Sequence, residues 1–259
     1  MKNHDYIKQA LEDSLGDISI EYYSSINSTN NHVMSTDFAH KYHLCYADIQ
    51  TNGRGQRGGK WVSNNTDNIY STLGFKCNFN ISDVALSSIK IALGVLEGIK
   101  NYLPCHLQKH LKIKLPNDIY FKDFKLAGIL IETKNIKKDN FDIVIGVGIN
   151  VNMTCLLEDI DREWISLAII RGEECNSSLI LADVVPSIVN SFFRHDNTAL
   201  ANFKKYDYLH NKMITFNSDG DEYVGMYKGV SENLDIILES DVELCFNIST
   251  INKVRRVAN

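Results

Sequence analysis

The segment Gly53-Arg54-Gly55-Gln56-Arg57-Gly58-Gly59-Lys60-Trp61 puts four glycines and three cations into eight residues, 53 to 60. With so few Cβ atoms the backbone can curl until successive N–H groups face an anion, while Arg54, Arg57 and Lys60 add positive charge. Such a loop suits a phosphate or an adenylate. It is not a Walker A loop, because Arg54 and Trp61 stand where that motif needs Gly and Ser or Thr. The same residues also fit an exposed hairpin or a single RGG-like nucleic-acid contact.

Three further segments bear chemistry. Lys114-Leu115-Pro116-Asn117-Asp118 ends an apolar run with a cation, a rigid proline and two polar side chains held at a strand end, or is an ordinary Pro-Asn-Asp turn. In Lys125-Leu126-Ala127-Gly128-Ile129-Leu130-Ile131-Glu132, a lysine enters an apolar strand beside small residues. That placement brings an ammonium next to a ligand backbone, or simply marks the strand's solvent end. Gly146-Val147-Gly148-Ile149-Asn150-Val151 lacks the third glycine of a dinucleotide fingerprint, since position 151 is Val. Two glycines in a buried strand imply a bulge or a close approach, with Asn150 offered to a ligand.

These segments need a scaffold, and the pattern supplies one. Apolar spacing predicts helices over 5–15 and 83–103, a helix beginning within 31–40 and capped by Asn30 or Asn31, and helical structure over 176–206 interrupted at Pro186. Strands are expected at 18–23, 42–50, 68–76, 111–115, 125–133 and 141–151, with turns at 121–124 and 134–140, Lys134 to Lys138 being solvated. Turns this short join antiparallel neighbours, so the fold class is α+β: a mixed, largely antiparallel central sheet with flanking helices. From Asn211 the texture changes to short strands at 213–216, 222–228, 234–238 and 242–246, which reads as a small β-barrel. The expected division is therefore 1–210 and 211–259.

Composition narrows the class. The 259 residues are 44% hydrophobic and 23% charged with a net charge of −5, which argues against a protein that coats nucleic acid. The six cysteines are scattered and the eight histidines dispersed, so sequence spacing suggests neither a metal site nor a disulfide framework. Cys45 and Cys77 read as small apolar fillers, and Trp164 as a packing residue. No signal peptide or apolar run near 20 residues is evident, so a cytoplasmic protein without membrane contact is expected.

Taken in order, Ser28-Thr29-Asn30, Gln50 to Gly58, Lys114 to Asp118, Lys125 to Leu130 and Gly146 to Asn150 resemble the catalytic domain of bacterial biotin–protein ligases. The resemblance is strong over about 20–170 and looser over 211–256. It implies a class II synthetase-like sheet followed by an SH3-like barrel, and ATP-dependent formation of biotinyl-5′-AMP with Mg²⁺. Biotin would then pass to a lysine on the biotin carboxyl carrier domain of acetyl-CoA carboxylase or a similar carboxylase. By resemblance, Arg54 and Lys125 are catalytic. Ser28, Thr29, Asn30, Gln50, Gly53, Arg54, Gly55, Gln56, Lys125 and Gly128 hold biotin. Arg54, Arg57, Trp61, Asn117, Lys125 and Asn150 hold ATP or the adenylate, and Asp118 assists a metal.

Two positions depart from the family. Leu115 stands where a Trp is common, and Gln56 where many members carry Arg, which removes an aromatic wall and a cation. Only a stub precedes Ser28, so a ligase without DNA-binding repressor function is expected, with a homodimer open. The rivals are a lipoate- or octanoyl-transferring enzyme of the same architecture and a non-catalytic biotin or nucleotide sensor.

Overall fold

Helix α1 (His4–Leu15) starts where the Asn3 side chain accepts the Tyr6 N–H, buries Ile7 and Leu11, and stops at Gly16 with φ 72°. The computed structural model describes residues 2–64, 66, 68–78, 84–138, 140–154, 163–194, 198–218, 220–240, 243–247 and 251–257. The expected helix start at 83, Cys155 and the expected strand start at Val242 lie outside the described residues.

Strand β1 (Ile18–Ile26) leads into α2 (Thr29–Ser35), which starts and ends earlier than the pattern suggested. Ser28 is its cap, because its hydroxyl accepts the Asn31 N–H at 3.4 Å. Asn30 and Asn31 therefore lie inside the first turn. This short helix connects β1 to β2 (Tyr42–Gln50) as the crossover that a parallel pair requires. A 3₁₀ turn (Gln56–Gly58), β3 (Ile69–Cys77), α3 (Val84–Lys100), α4 (Cys105–Gln108) and β4 (Leu111–Lys114) follow. Next come β5 (Asp118–Phe121), β6 (Phe124–Lys137) and β7 (Asn140–Ile149). Strand β5 was not expected: at four residues flanked by turns it carries too little periodicity to be seen. The seven strands run β1-β2-β3-β7-β6-β5-β4, all neighbours but the first pair antiparallel.

Lys134 is not in a solvated turn. Strands β6 and β7 continue past it, and its ammonium donates to Val33 O at 2.9 Å and to Thr36 O, 4.2 Å above the Phe38 ring. Burial holds its pKa below the ordinary lysine value.

One face of this sheet is covered by α1, α3 and α6 (Ser177–Phe193), which follows α5 (Leu167–Arg171) and precedes α7 (Ala199–Tyr206). Gly94 and Gly98 let α3 and α6 meet closely: a Cβ on either would come within 2.7 Å of the Ile188 or Val184 Cα. Pro186 lies inside α6 without ending it. Cys45 and Cys77 are buried, and burial pushes both thiols up to about 12.

Strands β8 (Met213–Ser218), β9 (Asp221–Val230), β10 (Asp235–Glu239), β11 (Glu243–Asn247) and β12 (Asn252–Arg256) form a second antiparallel sheet, ordered β11-β10-β9-β8-β12. Among the described residues no pairing joins β11 to β12, so an open five-stranded sheet stands where a barrel was expected. Ile214, Phe216, Tyr227, Ile236 and Leu238 form its buried side. No helix among the described residues is long and apolar enough to cross a membrane.

Candidate active site

The sheet face opposite α3 and α6 is opened by glycines. Gly128 on β6 pairs with Gly148 on β7, and the Trp61 ring lies on both. A Cβ on Gly148 would come within 2.3 Å of the indole, and one on Gly128 within 2.6 Å. Gly146 gives way to Asn30 in the same manner, with a virtual Cβ 1.9 Å from its Oδ1. Above this floor is a cleft of about 1280 Å³. The motifs far apart in sequence converge on it: Thr29, Asn30, Gln50, Gly53 to Arg57, Trp61, Lys114 to Asp118, Lys125, Gly128, Gly146, Gly148 and Asn150 all line it.

One end of the cleft is neutral and hydrogen-bonded. The Thr29 N–H and hydroxyl both donate to Gln50 Oε1, at 2.9 and 3.0 Å. Gln50 Nε2 donates to Ser63 Oγ at 3.0 Å, and Ser63 donates to Trp61 O. The Thr72 hydroxyl lies 2.8 Å from both Thr29 Oγ1 and Asn30 Oδ1. Thr29, Asn30, Gln50, Ser63 and Thr72 are all buried, so each polar atom is held by a partner at a defined angle. Ser28 is not among the residues lining the cleft, and its hydroxyl oxygen accepts the Asn31 N–H as the cap of α2.

The other end is charged. The Gly/Arg segment closes into a hairpin through Gly55 N–H to Gly59 O and Trp61 N–H to Gly53 O. From it Arg54 makes a two-pronged ion pair with Glu132, at 2.7 and 3.0 Å, and also donates to Asn31 Oδ1. Lys125 Nζ sits 2.7 Å from Asp118 Oδ1 and 5.1 Å from the centre of the Trp61 ring. Both partners are largely shielded, with side-chain exposures of 14% and 13%, so the pair is little screened by solvent. Arg57, which also lines the cleft, has φ 54° and donates to Ile251 O, at 2.6 Å, in the segment leading into β12. Asn117 donates to Ile129 O, and Asn150 to Lys125 O and Ile165 O, so both brace the strands that carry the cations.

Sequence reading missed several residues. Glu132 holds Arg54 and also accepts from Asn30 at 3.2 Å, yet it closes an apolar run and looked like that run's polar end. Ser63 and Thr72 complete the neutral chain but belong to no glycine- or proline-marked motif. Trp164 lines the cleft beside the start of β6, where residues 163–165 exchange backbone hydrogen bonds with Lys125. Its indole N–H and that of Trp61 are buried without a hydrogen-bond partner. Arg255 and Arg256 of β12 also reach the rim.

The sequence model of the biotin/lipoate A/B protein ligase family matches residues 21–150, half of the chain, a span running from β1 to just past β7. The chain belongs to that family. The bifunctional ligase/repressor BirA of Escherichia coli is 26% identical over 230 residues, covering 86% of this chain and 70% of that protein. The biotin–protein ligase of Schizosaccharomyces pombe is 34% identical over 139 residues, covering 45% of this chain and 21% of that one. Among solved structures, the Aquifex aeolicus biotin protein ligase in complex with biotin and ATP superposes with a TM-score of 0.76, covering 92% of this chain and 99% of that one at 21% identity. That likeness carries the fold: a mixed sheet with its long helices on one side and a small second sheet at the C-terminal end. The family's matched span contains every cleft motif from Thr29 to Asn150.

Proposed function

We propose that this protein is an ATP-dependent biotin–protein ligase that forms biotinyl-5′-AMP and then biotinylates a lysine of a carboxylase carrier domain in the cytoplasm. The observation that carries the reading is the pairing, within one cleft, of a neutral buried hydrogen-bond chain with two cations held by carboxylates. Biotin has the same division: a neutral ureido head and an anionic carboxylate tail.

In the first step the biotin carboxylate attacks the α-phosphate of ATP, forming a C–O–P anhydride while pyrophosphate leaves. The two reactants repel each other. Arg54 and Lys125 offset that repulsion and stabilise the charge that builds on the phosphorus oxygens. Both cations are held in advance by carboxylates, Glu132 and Asp118, so they lose little freedom when an anion takes over. Thr29, Asn30 and Gln50 meet the ureido group by exchanging some of these mutual hydrogen bonds for bonds to it, an exchange that a plain fatty acid has no groups to make. The unpartnered indole N–H groups of Trp61 and Trp164 offer two further donors to ligand oxygens. The hairpin over the cleft keeps water from the anhydride. In the second step the carrier lysine's amine attacks the acyl carbon, an amide forms, and AMP leaves.

Asp118 lines the cleft with its Oδ1 buried, 2.7 Å from Lys125 Nζ but without a hydrogen-bond partner, and is the residue that would hold a Mg²⁺ ion. Bound there, the ion would neutralise phosphate charge.

Biotin-dependent exchange of pyrophosphate into ATP tests the reading. Arg54→Ala and Lys125→Ala should each lower that exchange by about 10²–10³-fold, the usual loss when one transition-state donor is removed, with an unchanged circular dichroism spectrum. Lipoate should not compete. Absence of exchange in the parent protein, or equal competition by lipoate, would reject the proposal.

A further inference from the structure

Outside the cleft, three residues the sequence scatters come together around one point. Glu21 of β1 and His43 of β2 are diagonal neighbours on one face of the parallel pair, since Ser19 is registered with His43 and Glu21 with Cys45. Helix α2 lies over that face and contributes His32. The ligating atoms of all three residues fall within 4.8 Å of one another. His32 Nε2 is 2.8 Å from Glu21 Oε2, and His43 Nε2 is 3.0 Å from Glu21 Oε1. The Tyr23 hydroxyl donates to Oε2 at 2.8 Å and fixes the carboxylate plane.

His43 is the informative member. Its side chain is 5% exposed, and its Nε2, although close to Oε1, lies outside hydrogen-bonding geometry and has no other partner. A buried ring nitrogen aimed at a shared centre without a hydrogen bond is what a ligand atom looks like. Two imidazoles and one carboxylate are a donor set suited to Zn²⁺, and the partial exposure of His32 and Glu21 leaves room for water as a fourth ligand. The nearby Lys134 ammonium is engaged by Val33 O and Thr36 O above Phe38, which itself stacks on His43 at 5.8 Å.

We propose that Glu21, His32 and His43 form a zinc site that fastens α2 to the β1–β2 pair. Because the same helix carries Thr29 and Asn30 into the cleft, metal there would stiffen that wall from behind.

Chelator-treated protein, with the exposed Cys105 and Cys245 replaced by Ser to remove rival thiols, is titrated with Zn²⁺ alone by calorimetry. Co²⁺ is added in parallel and followed by absorption. The expected result is one Zn²⁺ per chain, a tetrahedral Co²⁺ ligand-field band and a Zn²⁺-dependent rise in Tm. Glu21→Gln and His32→Gln, both at partly exposed positions, should abolish the band while leaving the fold intact by circular dichroism. Tyr23→Phe should weaken binding about 10–100-fold without changing stoichiometry, the effect of losing a group that orients a ligand. No binding by the parent, or binding of equal strength by the Glu21→Gln and His32→Gln variants, overturns the site and leaves a carboxylate–imidazole cluster only.

Discussion

Asn30 shows how little space separates a working side chain from a clash. Its Oδ1 accepts from Thr72 and its Nδ2 donates to Glu132, an arrangement that exists only because position 146 has no Cβ. Replacing Gly146 by Ala must move Asn30 or the strand. The proposed ureido contact is then weakened by roughly 1 kcal/mol, the net worth of one hydrogen bond, which is about fivefold in KM. The expected kinetic signature is a higher KM for biotin with kcat close to that of the parent; an unchanged KM would show that Asn30 does not meet the ligand. At this scale the sequence was legible where glycines and prolines marked the chain. Gly53 to Trp61 and Gly146 to Asn150 were visible as special backbone. Glu132 and Thr72 were not, because a single polar residue in an apolar strand looks the same whether it faces a cleft or solvent. Ser28, a biotin contact by resemblance, was not legible as the helix cap it forms, because a serine beside functional residues reads the same whether or not it serves the backbone.

The elements position these residues through the contact of α3 with α6 behind the sheet. Gly94 and Gly98 bring the two helix backbones together, and the virtual Cβ distances of 2.7 Å leave no room for a larger side chain. Gly98→Val should therefore destabilise the protein by about 1–3 kcal/mol through overpacking, read as a lower urea midpoint with an unchanged slope. A midpoint equal to the parent's would mean that the helices can part without loss. The long periodic helices and the strands of eight or more residues were readable because their apolar faces repeat often enough to define a period. Strand β5 follows directly on the Pro116-Asn117 turn and β12 (Asn252–Arg256) holds a single apolar residue, Val254, so neither showed a pattern. The hairpin of β6 and β7 was cut short at Lys134 because charged residues continue the pairing beyond the core.

For the molecule as a whole, Asp207 sits at the passage from the large sheet to the small one. It forms a parallel bridge with Ile113, and its carboxylate accepts the Leu209 N–H at 3.0 Å and faces the Tyr227 hydroxyl. Burial raises its pKa above 3.8, outweighing those hydrogen bonds. A carboxyl with a higher pKa in the folded state binds more protons folded than unfolded, so its ionisation removes stability as the pH rises. Asp207→Asn should match the parent at acid pH, and its stability advantage should grow as the pH rises above 3.8 and then level off. Urea midpoints across that range decide the matter, and a difference independent of pH would count against a buried charge. The expected division between 1–210 and 211–259 falls in the stretch between α7 and β8 that follows this junction.

Arg57 binds Ile251 O from a left-handed turn in the middle of the glycine hairpin. The hairpin therefore cannot swing outward without first letting go of the strand edge beyond it. Admission of reactants and escape of the activated acyl group become a question of how often this tether slips together with the Arg54 contacts to Glu132 and Asn31, and the small C-terminal sheet acts as the doorpost of the reaction chamber.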